Sequence, residues 1–324
     1  MKKVSVIIPN YNHEKFLRKR LETVYNQTYN NFEVILLDDA STDNSVEILK
    51  EYEDNNKTSC FVINEKNSGS SYKQWLKGIE FATGDYIWIA ESDDYSDLNF
   101  LTEMMNFISK DDEINLVYCR SVMVNEKEEF ITVFQDSIKQ VDVTKWKKNY
   151  INDGLKELEE TYWATNHIAN ASSVLFSKKQ FYKEVFPNKE DFINRKLAGD
   201  KIFWTYMMKT GKVAFLAKEY NFFRSHPNNV RKTANEYYNL IDNFYWIHIM
   251  LKIVPLSKDK KKTLDIWLYG WWQSMNKNRF LPNKNKEKEL IETAKIKERF
   301  FIFTYLYWWL RFNQFYLRRK MIKR

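Results

Sequence analysis

The chain has 324 residues, of which 44% are apolar and 17% aromatic, so it is not mainly disordered and is long enough for a catalytic domain plus an appendage. The net charge of +8 is uneven: residues 201–324 hold 26 Lys and Arg against 9 Asp and Glu, and residues 1–200 hold 25 against 34. The basic part is therefore a candidate contact surface for phospholipid, nucleic acid or a phosphorylated substrate. Cys60 and Cys119 lie on apolar runs and are expected to be small buried hydrophobic residues in a reducing compartment.

From Lys2 to about Arg120, short apolar runs alternate with longer segments of helical periodicity. The predicted strands are 4–8, 32–37, 60–63, 86–90 and 115–119, and the predicted helices are 14–26, 43–53, 71–82 and 97–109. The strand runs are continuous rather than alternating, which predicts strands buried on both faces. This order is typical of an α/β fold with a mostly parallel, doubly wound sheet.

The pattern is less regular after Arg120. A strand is predicted at 128–134 and a helix at 155–165. Beyond Ser225 the chain is predicted to be helical and is rich in Trp, Tyr and Lys, with breaks at Pro255 and Pro282.

Polar residues follow three of the predicted strands. The first strand runs into Pro9-Asn10-Tyr11-Asn12, the second into Asp38-Asp39, and the fourth into Glu91-Ser92-Asp93-Asp94. Ligands of such sheets bind at the carboxyl ends of the strands, so these loops are expected to share one rim.

The group Glu91, Asp93 and Asp94 places three carboxylates within four residues. These charges repel one another unless a cation lies among them. Carboxylate oxygens suit Mg²⁺ and Mn²⁺, and Mg²⁺ is commonly held by one or two carboxylates together with substrate phosphates. A diphosphate bridged to the protein by a metal fits this group, and a solvated acidic turn before the next helix is the alternative.

Asp38 and Asp39 form a second acidic pair at the same rim. An ionised carboxylate there accepts a hydrogen bond from the imide of uracil or from a ribose hydroxyl. The ring of Tyr11 is suited to stacking on a base. An ordinary Asp-Ser turn and an ordinary loop tyrosine are the alternatives.

Three segments, VSVIIPNYN, FEVILLDDASTDNS and GIEFATGDYIWIAESDDY, together resemble the signature segments of glycosyltransferase family 2 over roughly residues 3–120. The resemblance implies the GT-A fold and, as in most members, inverting, metal-dependent transfer of a sugar from a nucleotide diphosphate sugar. It implies a nucleotide-sugar-binding half at 1–120 and an acceptor-binding and catalytic-base half of the same domain at 121–230. The composition predicts a helical, basic, aromatic-rich extension at 231–324.

The resemblance also assigns roles to the rim residues. Pro9 and Tyr11 are expected to line the base pocket, Asp38 and Asp39 to hold base and ribose, Glu91 to contact the nucleotide, and Asp93 with Asp94 to bind the metal. Glu91 stands where the family commonly has Asp. The segment SSYKQWLKGI lacks the arginine of many relatives, and Lys73 is the expected substitute.

Two later segments resemble further family motifs. LAGDKIFW resembles the segment that carries the general base, which predicts Asp200 as the base; Gly199 replaces the first acid of the usual pair, and a helix N-cap is the alternative role for Asp200. FFRSHPNNV predicts Arg224 as a diphosphate contact and His226 as a metal ligand, with a solvated loop histidine as the alternative.

These expectations combine into one functional hypothesis. It is an inverting glycosyltransferase that uses a UDP-linked sugar, Mn²⁺ or Mg²⁺, and a hydroxyl of a saccharide or lipid-linked saccharide, in surface polysaccharide synthesis. A sugar nucleotidyltransferase is a rival, although PNYNHEKF lacks the glycines of a triphosphate-binding loop. An inactive or binding-only relative is the other rival, and nucleic-acid binding is not expected because the chain shows no recognised motif for it.

The two ends of the chain bear on location. The apolar run before Pro9 is too short for a signal peptide, which favours the cytoplasm. Phe300–Leu310 is too short to span a bilayer and is followed by basic residues up to Arg324. This pattern is typical of a helix lying on anionic lipid, hence a peripheral protein on the inner face of the cell membrane, and a helix packed on the catalytic domain is the alternative.

Overall fold

The computed structural model describes residues 2–139, 141–227 and 236–264, and side chains are described throughout these ranges except at 236–241. Two compact units are distinguished, Met1–Pro255 and Leu256–Arg324. The described part of the second unit is helical at 258–264. The sheet and the candidate site belong to the first unit.

The first unit alternates strands and helices along the chain. The strands are β1 (Val4–Asn10), β2 (Phe32–Asp38), β3 (Thr58–Ile63), β4 (Tyr86–Ile89), β5 (Tyr95–Ser96), β6 (Ile114–Val124), β7 (Phe130–Val133), β8 (Tyr150–Asp153), β9 (Val174–Ser177) and β10 (Lys212–Arg224). The α-helices are α1 (Glu14–Tyr25), α2 (Ser45–Lys50), α3 (Ser71–Phe81), α4 (Phe100–Ile108), α5 (Phe134–Ser137), α6 (Gly154–Glu157), α7 (Lys178–Gln180), α8 (Gly199–Met207) and α9 (Glu236–Ile253). Short 3₁₀ turns cover Lys145–Lys147, Ala171–Ser173 and Phe186–Asp191, and π-helical turns cover Leu158–Tyr162 and Phe181–Val185.

One sheet runs through this unit in the order β3-β2-β1-β4-β9-β6-β10-β5, with β7 paired to β6 and β8 to β10. The pairs β1–β2, β1–β4, β2–β3 and β6–β10 are parallel. β9 is antiparallel to both β4 and β6, so β6 and β10 run in the same direction as β1. The carboxyl ends of β1, β2, β4 and β10 therefore lie at one edge, and the expected α/β class with a mostly parallel sheet flanked by helices is confirmed.

The main hydrophobic core lies on one face of β1. Val4, Val6 and Ile8 alternate onto that face and pack in one cluster with Leu17 and Leu21 of α1. All five side chains are fully buried. Since burying one such side chain contributes about 1.5–3 kcal/mol, this contact fixes α1 and the turn that precedes it against the sheet.

The other face of β1 is covered by α3. Gly78 lies so close to β1 that a Cβ atom on it would collide with the side chain of Ile7. The glycine thus permits the close helix-to-strand approach that places the first turn of α3 beside the carboxyl edge of the sheet.

The predicted strands and helices of residues 1–120 are confirmed, with shifted ends. β3 was expected to be buried on both faces, but it is an edge strand with partly exposed side chains. β7 confirms the strand predicted at 128–134, and the helix predicted at 155–165 forms as α6 followed by a π-helical turn. β8, β9 and β10 were not anticipated.

Cys119 is buried and Cys60 is partly buried, and both are free thiols. Within the described part of the chain, no helix combines the length and the apolar character that crossing a bilayer requires. Pro282, the run Phe300–Leu310 and the basic residues after it lie outside the described residues. Membrane contact therefore stays a prediction from the sequence.

Candidate active site

The turn after β1 presents Tyr11 to solvent, with 44% of its surface exposed. The carbonyl of Ile7 accepts a hydrogen bond from the backbone N–H of Ala90, so the backbone polar groups of Ile7 point toward β4. The backbone nitrogen of Pro9, two residues on, points the same way. β4 ends at Ile89, and a proline at this position therefore forfeits no ladder hydrogen bond. Pro9 thus lies beyond the last pair with β4, while the pairing with β2 continues to Asn10.

Asp38 ends β2 and is fully buried. Its carboxylate accepts hydrogen bonds from the backbone N–H of Ser41 at 2.7 Å, the Ser41 hydroxyl at 2.7 Å and the Asn10 amide at 2.8 Å. These bonds tie the β2 turn to the end of β1. Ala40 within this turn has a φ of +61°, a strained value for a residue with a side chain.

Asp39 holds the loop that leads into α3. Its carboxylate accepts from the Asn64 amide at 2.6 Å, the Ser68 N–H at 2.9 Å, the Ser68 hydroxyl at 2.7 Å and the Gln74 amide at 2.9 Å. Lys73 is exposed on α3 and donates to the Ser68 carbonyl at 3.2 Å, so it belongs to this neighbourhood. A nucleotide contact by Asp39 would have to share or replace these donors.

Asp93 lies beside two histidines. His226 Nε2 is 3.0 Å from Asp93 Oδ2, and His13, the residue before α1, lies with its ring centroid 5.5 Å from that of His226. One ligand atom from each of the three residues falls within 4.8 Å of the others, and Glu91, Asp93 and Asp94 form a second such group. Asp93 is common to both groups of potential metal ligands.

The environment favours an ionised Asp93 beside a neutral His13. Burial would raise the pKa of Asp93, but opposing interactions, the hydrogen bond from His226 foremost, outweigh it and lower the pKa. Burial also lowers the pKa of His13, against the opposing charge of Asp93. A carboxylate and neutral imidazoles are the protonation states in which these groups bind metals.

Asp94 is buried and fully engaged by the protein. It accepts from the backbone N–H of Arg224 at 2.9 Å, the Ser172 hydroxyl at 2.7 Å and the Asn170 amide, and the Arg20 guanidinium lies 3.9 Å away. Burial and the charge of Asp93 raise the pKa of Asp94, which Arg20 opposes. This arrangement favours a bracing role for Asp94.

Arg224 is 1% exposed at the end of β10. Its Nε donates to the carbonyl of Asp93 at 2.9 Å, its Nη2 lies 3.1 Å from Glu128, and its guanidinium carbon is 4.7 Å from the Phe16 ring centroid. Arg224 therefore fixes the backbone of residues 91–94, here called the acidic loop. Its predicted diphosphate contact remains untested.

Asp200 lies in the first turn of α8 and is 8% exposed. Ala198 is the N-cap residue, so Asp200 does not occupy the cap position that was its alternative role. Its Oδ1 accepts from the Lys201 N–H at 2.8 Å and its Oδ2 from the Asn166 amide at 3.3 Å. Burial, together with the nearby charge of Asp200, raises the pKa of the Tyr72 phenol well above its usual value.

Residues 166–172, here called the linking segment, connect Asp200 to the acidic loop. At one end Asn166 donates to Asp200. At the other, Asn170 and Ser172 donate to Asp94, and the Ser172 hydroxyl also accepts from the N–H of Glu91 at 3.1 Å. The segment enters β9, whose antiparallel direction brings its first residues to the carboxyl edge of the sheet.

The structure gathers five of the predicted residues around the acidic loop: Glu91, Asp93, Asp94, Arg224 and His226. Asp200 is connected to them through the linking segment, and Lys73 and Asp39 contact the loop before α3. Sequence reasoning missed His13 and Arg20. His13 directly follows the first rim loop, so its position was a usable signal, whereas Arg20 lies in the middle of a predicted helix and carried none.

The model of glycosyl transferase family 2 matches residues 5–176, more than half of the chain, and the chain belongs to this family. A poly(ribitol-phosphate) beta-glucosyltransferase of Bacillus spizizenii is 30% identical over 147 residues, which cover 45% of this chain and 23% of that protein. The chain covers 57%, 36% and 23% of three curated relatives, and thus less than two thirds of their length.

Solved structures show the same fold. S. aureus TarS in complex with UDP-GlcNAc has a TM-score of 0.57 and 19% identity, covering 84% of this chain and 72% of that one. The mannosyltransferase PcManGT of Pyrobaculum calidifontis, in complex with GDP-Man and Mn²⁺, has a TM-score of 0.57 and 14% identity, covering 91% and 80%. The GT-A type of fold is confirmed.

Proposed function

We propose that this chain is an inverting glycosyltransferase that moves a sugar from a UDP-linked donor to a hydroxyl group of a saccharide or lipid-linked saccharide. The observation that carries the proposal is the linking segment, which joins the carboxylate of Asp200 to the acidic loop. A proton acceptor beside a charge-rich diphosphate site is the minimum machinery for this transfer. Family membership supports the same reaction class.

A divalent cation fits the acidic loop. Asp93 supplies a carboxylate oxygen and His226 an imidazole 3.0 Å away, a donor set that suits Mn²⁺ and Mg²⁺ through oxygen and transition metals through nitrogen. A cation held there would offset the negative charge of the leaving diphosphate. Asp94 and Arg224 then keep the loop in shape, because both are already bonded within the protein. The PcManGT complex with Mn²⁺ supports a metal-dependent site.

The protein's own groups account for the remaining steps. Asp200 accepts the proton of the acceptor hydroxyl as the hydroxyl oxygen attacks the anomeric carbon of the donor sugar. Asn166 holds one oxygen of that carboxylate, and the Lys201 N–H holds the other. Attack opposite the leaving diphosphate is a single displacement, so the configuration inverts and no covalent enzyme intermediate is needed.

The donor and acceptor classes rest on separate observations. The exposed ring of Tyr11 is free of the core and suited to stacking on a base, and the TarS complex with UDP-GlcNAc supports a UDP-linked donor. The relative named as a poly(ribitol-phosphate) beta-glucosyltransferase supports an acceptor in surface polysaccharide synthesis.

The proposal is tested by the variant Asp200→Asn. Asparagine keeps the size of the side chain but accepts no proton, so turnover should fall by about 10²–10⁴ while donor affinity and melting temperature stay near wild type. Turnover is measured with a panel of nucleotide sugars and Mn²⁺.

Asp153→Asn is the matched control, because Asp153 accepts from the Lys156 N–H at the start of α6 and is remote in sequence from the acidic loop. It should change stability slightly and turnover not at all. Unchanged turnover in Asp200→Asn would remove Asp200 as the base. A wild-type protein that binds UDP yet turns over no donor would instead indicate a binding-only relative.

A further inference from the structure

We propose that His13 is a protein ligand of the divalent cation, so that the site consists of His13, Asp93 and His226. The inference rests on the metal-dependent function proposed above and deepens it. It adds a residue that none of the sequence motifs singled out, and its effect on the choice between Mn²⁺ and Mg²⁺ provides a test.

The first argument is convergence in space. His13 precedes α1, Asp93 follows β4, and His226 follows β10, so three separate parts of the chain meet at this point. One ligand atom of each lies within 4.8 Å of the other two. The two imidazole rings meet edge to face, and both pack against the ring of Phe16, 6.2 Å from His13 and 5.0 Å from His226. Phe16 thereby limits how far either ring can turn.

The second argument is that the ring of His13 is not used for the local structure. His13 is the N-cap residue of α1, a position where Ser, Thr, Asp and Asn are preferred because their side chains bond the first helical N–H groups. Its side chain makes no such bond. Nδ1 instead lies 2.9 Å from the Ser92 hydroxyl. Metal-binding histidines commonly have their other ring nitrogen fixed by such a partner, which sets the tautomer and the ring direction.

The third argument is the state of the rival ligands. Asp94, the third member of the alternative group with Glu91 and Asp93, already accepts from Arg224, Asn170 and Ser172. Coordination by Asp94 would break those bonds. Coordination by His13 would break none of the bonds that hold Asp94.

The metal preference follows from the donor atoms. Mg²⁺ is hard and is bound mainly by carboxylate, carbonyl and water oxygens. Two imidazoles with one carboxylate favour a first-row transition metal over Mg²⁺, and Mn²⁺ is the member of that series that oxygen ligands also suit. The ratio of Mg²⁺ to Mn²⁺ dissociation constants therefore reports on His13.

The test measures binding rather than turnover. Wild-type protein, His13→Gln, His13→Asp and the control Lys15→Gln are titrated with MnCl₂ in the presence of UDP, with free Mn²⁺ followed by electron paramagnetic resonance. Mg²⁺ is measured by competition. Lys15 is exposed on the same turn of α1, so Lys15→Gln removes a charge without removing a ligand.

His13→Gln should weaken Mn²⁺ binding at least about tenfold, since even the partners of ligands cost about 10–100-fold when removed. His13→Asp should recover Mg²⁺ binding more than Mn²⁺ binding, because it replaces nitrogen by oxygen. Pulsed electron paramagnetic resonance of bound Mn²⁺ should show one imidazole nitrogen fewer in His13→Gln than in wild type.

Two results would overturn the inference. Mn²⁺ affinity and nitrogen couplings in His13→Gln equal to those of wild type, with binding lost in Asp93→Asn, would leave the proposed metal-dependent function standing and remove His13 from the site. A wild-type protein that binds no Mn²⁺ with UDP would remove both.

Discussion

At the scale of single residues, the ring of Tyr72 fills the volume that a side chain at Gly199 would need. A Cβ atom at Gly199 would collide with the ring of Tyr72 and would approach the carbonyl of Phe192 to 2.9 Å. Tyr72 is 7% exposed and packs edge-on against Trp75. Gly199 stands where the family resemblance places an acid, and Tyr72 lies in the α3 segment that also departs from the pattern. The absence of a side chain at Gly199 therefore makes room for the Tyr72 ring, an exchange of side-chain volume between neighbouring positions.

The exchange predicts a non-additive pair of variants. Gly199→Asp alone should destabilise the protein by about 1–3 kcal/mol, because it inserts atoms into a packed site. Tyr72→Ala alone should also destabilise it by removing a buried ring. The double variant should lose less free energy of unfolding than the sum of the two single losses, since the new carboxylate enters the space that the ring vacates. Urea unfolding of all four proteins checks this, and additivity to within about 0.5 kcal/mol would contradict it.

At the scale of elements, α9 binds the segment that leads into α8. Asp242 on α9 accepts from the backbone N–H groups of Lys196 at 2.7 Å and Leu197 at 2.8 Å, just before Asp200. The indole of Trp246 donates to the Thr205 hydroxyl at 3.1 Å. Burial raises the pKa of Asp242, which these N–H donors oppose. α9 is therefore a support for the segment that carries the proposed base.

The variant Asp242→Ala tests whether this support positions α8. It leaves the backbone N–H groups of Lys196 and Leu197 without their acceptor, and because both residues are at least partly exposed, the cost lies below the roughly 1–3 kcal/mol of a fully buried donor. Because Asp242 acts through the position of α8, we expect kcat to fall at saturating donor while the KM for donor changes little. Lys252→Ala near the end of the same helix is the control. A drop in kcat that matches the fraction of unfolded protein would show that Asp242 is only structural.

At the scale of the whole molecule, acid stability depends on Glu33. Its carboxylate accepts from the Lys3 ammonium at 2.7 Å, the Ser5 hydroxyl at 2.6 Å and the Thr83 N–H at 2.7 Å, which ties β1, β2 and the turn before β4 together. Burial would raise its pKa, but these donors lower it from 4.5 to about 2. The stabilisation is therefore complete above pH 4.5 and is lost as the pH falls toward 2.

Glu33→Gln tests this dependence. Glutamine cannot carry the charge, so wild type should be the more stable protein at neutral pH, and the difference should shrink steadily between pH 4.5 and 2. The free energy of unfolding is measured by urea titration at several pH values. Glu47→Gln is the control, since Glu47 is exposed and its ion pair with Lys50 lies within one helix turn. A difference that is constant with pH would contradict the role of Glu33.

The sequence predicts the parallel half of the molecule well and the other half poorly, for physical reasons. β1, β2 and β4 are continuous apolar runs because both faces are buried, and that signal is local. β9 has four residues, and its antiparallel direction depends on neighbours far along the chain, so no local pattern records it. The sequence alone indicated the acidic loop, because its three carboxylates are close together in the chain. The hydrogen bonds of the linking segment form only when β9 inserts between β4 and β6.

The linking segment bears on how such an enzyme could be redesigned. Because residues 166–172 hold Asp200 at one end and Asp94 at the other, a change within them would disturb the proposed base and the acidic loop at once. Libraries of variants would therefore retain more folded clones by sparing these residues and varying exposed positions such as Phe130, Ile131 and Val143.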